Sequence, residues 1–100
     1  MERFYEAESW RVRGDLHRIA AREDAAATAY RTSIAKAAEQ RALAIELRAA
    51  MGLARLLAPH GANQEARALV SSVYDRFTEG FETGDLKAAR ELVAGFPAAT

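Results

Sequence analysis

The chain has no cysteine at all. Disulfides, thiolate nucleophiles and cysteine metal sites are therefore excluded. It has only two prolines, Pro59 and Pro97, so long uninterrupted helices are allowed. Valine and isoleucine together number 7, against 24 alanines among the 100 residues. Strands draw on β-branched and aromatic side chains, whereas alanine is the best helix former. A β-sandwich, a β-barrel and a parallel α/β sheet are excluded on that ground. An all-helical fold remains, with thin side chains that permit close packing. Net charge is also missing: 14 basic groups balance 14 acidic ones. A nucleic-acid binder needs a basic excess for its phosphate contacts, so nucleic acid is not expected as a partner. No apolar run approaches the roughly 20 residues of a membrane helix. The opening Met1-Glu2-Arg3-Phe4-Tyr5 does not read as a secretory leader. These absences lead us to expect a cytoplasmic protein with no membrane partner.

What is present is a succession of helical patterns. The first runs from Phe4 to Ala21, with Val12, Leu16, Ile19 and Ala20 as an apolar stripe. Gly14 inside it costs roughly 1 kcal/mol against alanine, which implies that another backbone comes close. Asp24 is a candidate N-cap for a second helix, 25–40, whose core face is Ala26, Ala29, Tyr30, Ser33, Ile34 and Ala37. A third helix spans 41–58, with Leu43, Leu47, Ala50, Leu53, Ala54 and Leu57 on one side. Pro59-His60-Gly61 ends it. Asn63 is the candidate cap of a fourth, in which Ala66, Leu69, Val70, Val73, Tyr74 and Phe77 keep the helical spacing. Gly80 and Gly84 bracket a short connection. Thr83 or Asp85 caps a fifth helix carrying Leu86, Ala89, Leu92, Val93 and Phe96, closed by Pro97 before a frayed tail, 98–100.

Sliding the chain by 40 tests whether these helices repeat. Gly14 falls on Ala54, Leu16 on Leu56, Ala26 on Ala66 and Tyr30 on Val70. Residue size recurs more than identity: small at 14/54 and 26/66, larger and apolar at 30/70. Trp10, Gly14, Ala26 and Tyr30, then Leu53, Ala54, Leu57 and Ala66, follow an order that resembles the tetratricopeptide repeat. The period departs from the usual 34 of that family, and the proline after the second helix is missing from both units. The segments ERFYEAE, WRVRGDLHR, ELRAAMGLARLLAPHG and EARALVSSVYDRFTEGFETGDLKAARELV resemble the carboxyl-terminal repeats of large bacterial regulatory ATPases. Gly84 stands where those relatives often have proline. In that family the repeats are joined to an ATPase and to an adenylate or guanylate cyclase or DNA-binding domain. The resemblance implies a signalling context, and no ATPase or cyclase residue carries over, because the chain has no GxxxxGK[ST] loop.

Candidate chemistry is sparse. His17 and His60 are the only histidines, with neither HExxH nor ExxH around them, so surface or packing roles are expected and no metal site. Carboxylates group at Glu23-Asp24 and at Glu79/Glu82/Asp85; Glu23-Asp24 and Asp85 sit at helix starts, where negative charge is favourable, which makes capping the better reading than acid–base work. Ser71 and Ser72 have no GxSxG context and no matching histidine. No enzyme and no cofactor are expected.

The arginines are more informative. In a stack of helical hairpins the first helix of each unit lines a shared groove. That face would expose Glu8, Arg11, Asp15 and Arg18 from one unit and Arg48, Met51 and Arg55 from the next. Four arginines on one wall suit an acidic peptide or a terminal carboxylate. The plainer alternative is a solvated face with pairs such as Arg11/Asp15. The aromatics Phe4, Tyr5 and Trp10 either pack on the second helix or form a face for self-association into a homodimer. The sequence thus leads us to expect an all-α, tetratricopeptide-like stack: hairpins over 1–40 and 41–80, and a capping helix over 83–97. Its expected role is a non-enzymatic protein-interaction module binding a protein or acidic peptide. A stand-alone bundle that binds a small molecule or dimerises is the alternative.

Overall fold

A computed structural model describes residues 2–96, with side chains from Tyr5 to Phe96. The described residues form five α-helices and no strand: α1 Glu2–Ile19, α2 Glu23–Glu39, α3 Leu43–Leu57, α4 Asn63–Tyr74 and α5 Gly84–Gly95. A 3-10 turn, Ala58–His60, follows α3. The packing is that of a stack. Helix α1 pairs with α2, and α3 lies against both. Helix α3 in turn pairs with α4, and α5 lies against both of those. The same relation is therefore used twice along the chain, with α5 covering the end of the second hairpin. Helix α3 touches all four other helices and is buried over most of its length.

The turns repeat more strictly than the helices. Residues 21, 41 and 61 each adopt a left-handed conformation, with φ of 62° at Ala21, 57° at Arg41 and 86° at Gly61. In each turn that residue donates its N–H to the carbonyl three back (Arg18, Ala38, Ala58). The next N–H reaches the carbonyl five back (His17, Ala37, Leu57). This double closure satisfies carbonyls that the helix end leaves open. Only the third turn has the glycine that such a conformation favours, and this explains why the α2–α3 boundary is so faint in the sequence. Ala21→Gly and Arg41→Gly are each expected to raise the unfolding free energy by roughly 0.5–1 kcal/mol, read as a higher urea midpoint. A lower midpoint would mean that these turns are not closed in this way.

Helix starts differ from expectation at two places. Asp24 does not cap α2: the helix already begins at Glu23, Arg22 stands at the cap, and no side chain closes it. Asn63 is the first residue of α4, after Ala62, and makes no cap either. The cap position falls two residues before Asp24 and one before Asn63. Thr83 does cap α5, its hydroxyl accepting from Leu86 N–H at 3.4 Å. Helix α4 stops at Tyr74, before Phe77, and Arg76 in the following turn forks onto the buried Glu46 of α3 at 2.8 and 3.1 Å. Pro97 and the tail 98–100 lie outside the described residues.

Most of the expected core is buried. Ala26, Ala29, Tyr30, Ser33 and Ala37 of α2 are all inside, with Ile34 half-buried. Ala26, Ala54 and Ala66 are fully buried, and Ala38 is exposed. The α1 stripe is the main correction. Val12, Leu16 and Ile19 are 41%, 59% and 77% exposed, and Ala20 is exposed in the turn. Helix α1 turns a different face inward, burying Ala7 and Gly14. The carbonyl of Ala7 accepts from the Ser33 hydroxyl at 2.8 Å. The small residues on this face leave room for the Ser33 and Tyr30 side chains of α2. The aromatics do not form a buried cluster: Tyr5 is 74% exposed and Trp10 half-buried, its ring under the Arg13 guanidinium at 4.5 Å. The Phe4 side chain lies outside the described residues.

Candidate functional site

The site begins at Tyr30. Its ring is fully buried and passes between Gly14 of α1 and Gly52 of α3. A Cβ at Gly14 would stand 2.6 Å from ring carbons Cδ1 and Cε1, and one at Gly52 would stand 2.5 Å from Cε1. Gly14 thus makes room for a side chain, where the sequence had implied a backbone. The gap lets the phenol cross the stack and deliver its hydroxyl to the far side. There it donates to Asp15 Oδ1 at 2.5 Å and accepts from Arg18 Nε at 3.1 Å. Burial, reinforced by the bond to Asp15, pushes the phenol pKa up and keeps Tyr30 a proton donor.

This hydroxyl network lies beside a groove of about 270 Å³ between α1, α3 and the start of α5. The groove brings together six of the seven residues expected on this face, Arg11, Asp15, Arg18, Arg48, Met51 and Arg55, while Glu8 stands outside it, bonded to Arg11. The α3 members recur at about one helical turn (48, 51, 55), as do 11, 15 and 18 on α1. Asp85, from the first turn of α5, completes the groove and was not assigned to it from the sequence. Its signal would have been the repeat itself, because α5 meets α3 as α3 meets α1.

Most of the arginines are held in place. Arg11 forks onto Glu8 at 2.7 and 2.8 Å and reaches Asp15 at 2.9 Å. Arg48 crosses from α3 to Asp85 of α5 at 2.7 and 3.0 Å. The hydrogen bond to Glu8 raises the Arg11 pKa, that to Tyr30 raises Arg18, and that to Asp85 raises Arg48, in each case against burial. Arg11 likewise lowers the Glu8 pKa. A carboxylate with a depressed folded pKa adds stability above its ordinary range and loses it as pH falls through the lowered value. Arg55 differs from the others. It is exposed and makes no ion pair or hydrogen bond among the described residues.

Several of the remaining candidates are engaged elsewhere. His60 Nε2 meets Glu23 Oε1 at 2.8 Å, and His17 Nδ1 accepts from Arg22 Nε at 3.1 Å. Glu82 is 3.5 Å from Lys87, and the Ser72 hydroxyl donates to the Leu69 carbonyl at 3.1 Å. Among the described residues no group of three or more His, Asp or Glu could hold a metal ion, and no helix is long and apolar enough to cross a membrane.

No protein family, curated protein or solved structure matches this chain. The functional argument therefore rests on the groove.

Proposed function

We propose that this protein is a non-enzymatic interaction module whose groove between α1, α3 and α5 receives an acidic peptide segment. The observation that carries the reading is the convergence of Arg11, Arg18, Arg48 and Arg55 on one groove, with Arg55 free of any ion pair among the described residues. Arg55 is the first contact for an incoming carboxylate. Arg48 is the second. Its bond to Asp85 is part-exposed, and such pairs contribute only about 0–1 kcal/mol, so exchanging Asp85 for a ligand carboxylate costs little. Arg11 and Arg18 stay bound to Glu8, Asp15 and Tyr30 and shape the wall. Buried Met51 supplies an adaptable apolar floor for the side chain beside the carboxylate. The non-enzymatic reading is supported by the carboxylates themselves. Asp15, Asp85 and Glu46 are committed to arginine or tyrosine partners, which suits binding better than proton transfer.

The segments that resemble the repeats of bacterial signalling ATPases extend the proposal to a module that relays partner binding inside a larger regulator. The test of binding is direct. A short glutamate-rich peptide is titrated into the protein and into the Arg48→Ala/Arg55→Ala variant by calorimetry. The variant is expected to lose binding, and the parent affinity is expected to fall as salt is raised. Equal affinity for both proteins would remove the groove from consideration.

A further inference from the structure

Arg11 meets Glu8 through both carboxylate oxygens, and Arg76 meets both oxygens of Glu46. Arg48 is held differently. Its Nε and one terminal nitrogen converge on a single oxygen of Asp85, Oδ2. Two parallel N–H···O bonds to two oxygens make the stronger pair. The surroundings differ as well. The Glu46 side chain is 7% exposed, whereas those of Asp85 and Arg48 are 38% and 42% exposed in the groove. Asp85 can also let go without unseating its helix. The Thr83 hydroxyl caps α5, and Leu86 and Ala89 are buried in the core. The far end is held by Arg67, which donates to the Val93 and Phe96 carbonyls at 2.9 and 3.3 Å.

Resting on the reading of the groove as a site for an acidic segment, we infer that Asp85 is a built-in competitor for that segment. It holds Arg48 in the place of a ligand carboxylate and weakens every ligand that reaches Arg48. Arg55 makes no ion pair among the described residues, so it takes a first acidic side chain without displacing anything. A second one must expel Asp85. It gains only the difference between a two-oxygen fork and the single-oxygen contact that it replaces. Residues 48 and 55 are about two helical turns apart, roughly 10 Å along α3. A segment in the polyproline II conformation covers about that distance in three residues and returns its fourth side chain to the same side. Segments of the form Glu-x-x-Glu are therefore the ones that Asp85 holds back, and segments with one acidic group are not.

Calorimetry with two end-blocked eight-residue peptides, one carrying Glu-Pro-Pro-Glu and one carrying Gln-Pro-Pro-Glu, tests the assignment. Asp85→Asn should keep the far-UV spectrum and bind the two-acid peptide about two- to fivefold more tightly than the parent protein does. Its affinity for the one-acid peptide should be that of the parent. In an Arg48→Ala background, which keeps Arg55, Asp85→Asn should bring no gain. An unchanged or lower affinity of Asp85→Asn for the two-acid peptide would overturn the inference. So would an equal gain with the one-acid peptide or without Arg48, because loss of negative charge alone would then account for it. In each of these cases the groove reading stands as long as Arg48→Ala/Arg55→Ala abolishes binding. No binding of either peptide to the parent or to Asp85→Asn would overturn both.

Discussion

Gly52→Ala is expected to destabilise the protein, although helix propensity alone favours the change by about 1 kcal/mol. The added methyl would meet Tyr30 Cε1 at 2.5 Å and the phenol oxygen at 2.8 Å. The ring has little freedom to retreat, because Gly14 also lies against it at Cδ1 and Cε1. Its hydroxyl is also tied to Asp15 and Arg18. Overpacking a filled core costs about 1–3 kcal/mol. At roughly 4–8 °C per kcal/mol for a domain of this size, the melting temperature should fall visibly. Gly14→Ala should behave alike. In a Tyr30→Leu background the ring is gone, and Gly52→Ala should turn neutral or stabilising, so the pair should couple strongly in a double-mutant cycle. A rise in melting temperature with Tyr30 intact would mean that the ring has room to spare. The same cycle bears on the groove, because an ill-seated Tyr30 no longer fixes Asp15 and Arg18.

The second large effect concerns the alanines. Ala66 is fully buried in the core cluster that holds Leu47, Ala50, Ala54, Val70 and Leu86, and Ala26 in the one that holds Tyr30, Ala49 and Leu53. Leucine at either position adds volume where α2 or α4 meets α3, and should cost about 1–3 kcal/mol. Ala38 has solvent beside it and should accept leucine with a change of about 0.5 kcal/mol or less. Chemical denaturation of the three variants measures the contrast. Equal losses at 38 and 66 would contradict the packing described, since the two alanines differ only in their surroundings.

The sequence makes much of this architecture legible, for identifiable reasons. Alanine content excludes sheets, and Ala26, Ala54 and Ala66, singled out by their spacing, are all fully buried. The groove residues could be grouped because 11, 15, 18 and 48, 51, 55 each follow one helical face. The failures have physical causes as well. Val12, Leu16 and Ile19 have ideal core spacing, but α1 packs through Ala7, whose carbonyl takes the Ser33 hydroxyl, and Gly14, which makes room for the Tyr30 ring. Apolar spacing identifies a helix without saying which neighbour covers each face. The turns at Ala21 and Arg41 carry no glycine, so their left-handed geometry leaves no mark in the residue types. Their regularity lies in position, one every 20 residues, and emerges only from the backbone. Asp85 joins the groove through a contact between helices far apart in the chain, which local periodicity does not encode.

Stacking two hairpins brings scattered arginines into one groove, proposed here to receive an acidic segment. The most direct test is a titration of isotope-labelled protein with a short glutamate-rich peptide, followed by amide and arginine side-chain resonances. Saturable shifts are expected, centred on Arg48, Met51, Arg55 and Asp85 and extending to Arg18 and Tyr30, with the α2 face around Ala38 unchanged. Absence of saturable shifts, or shifts centred away from the groove, would contradict it.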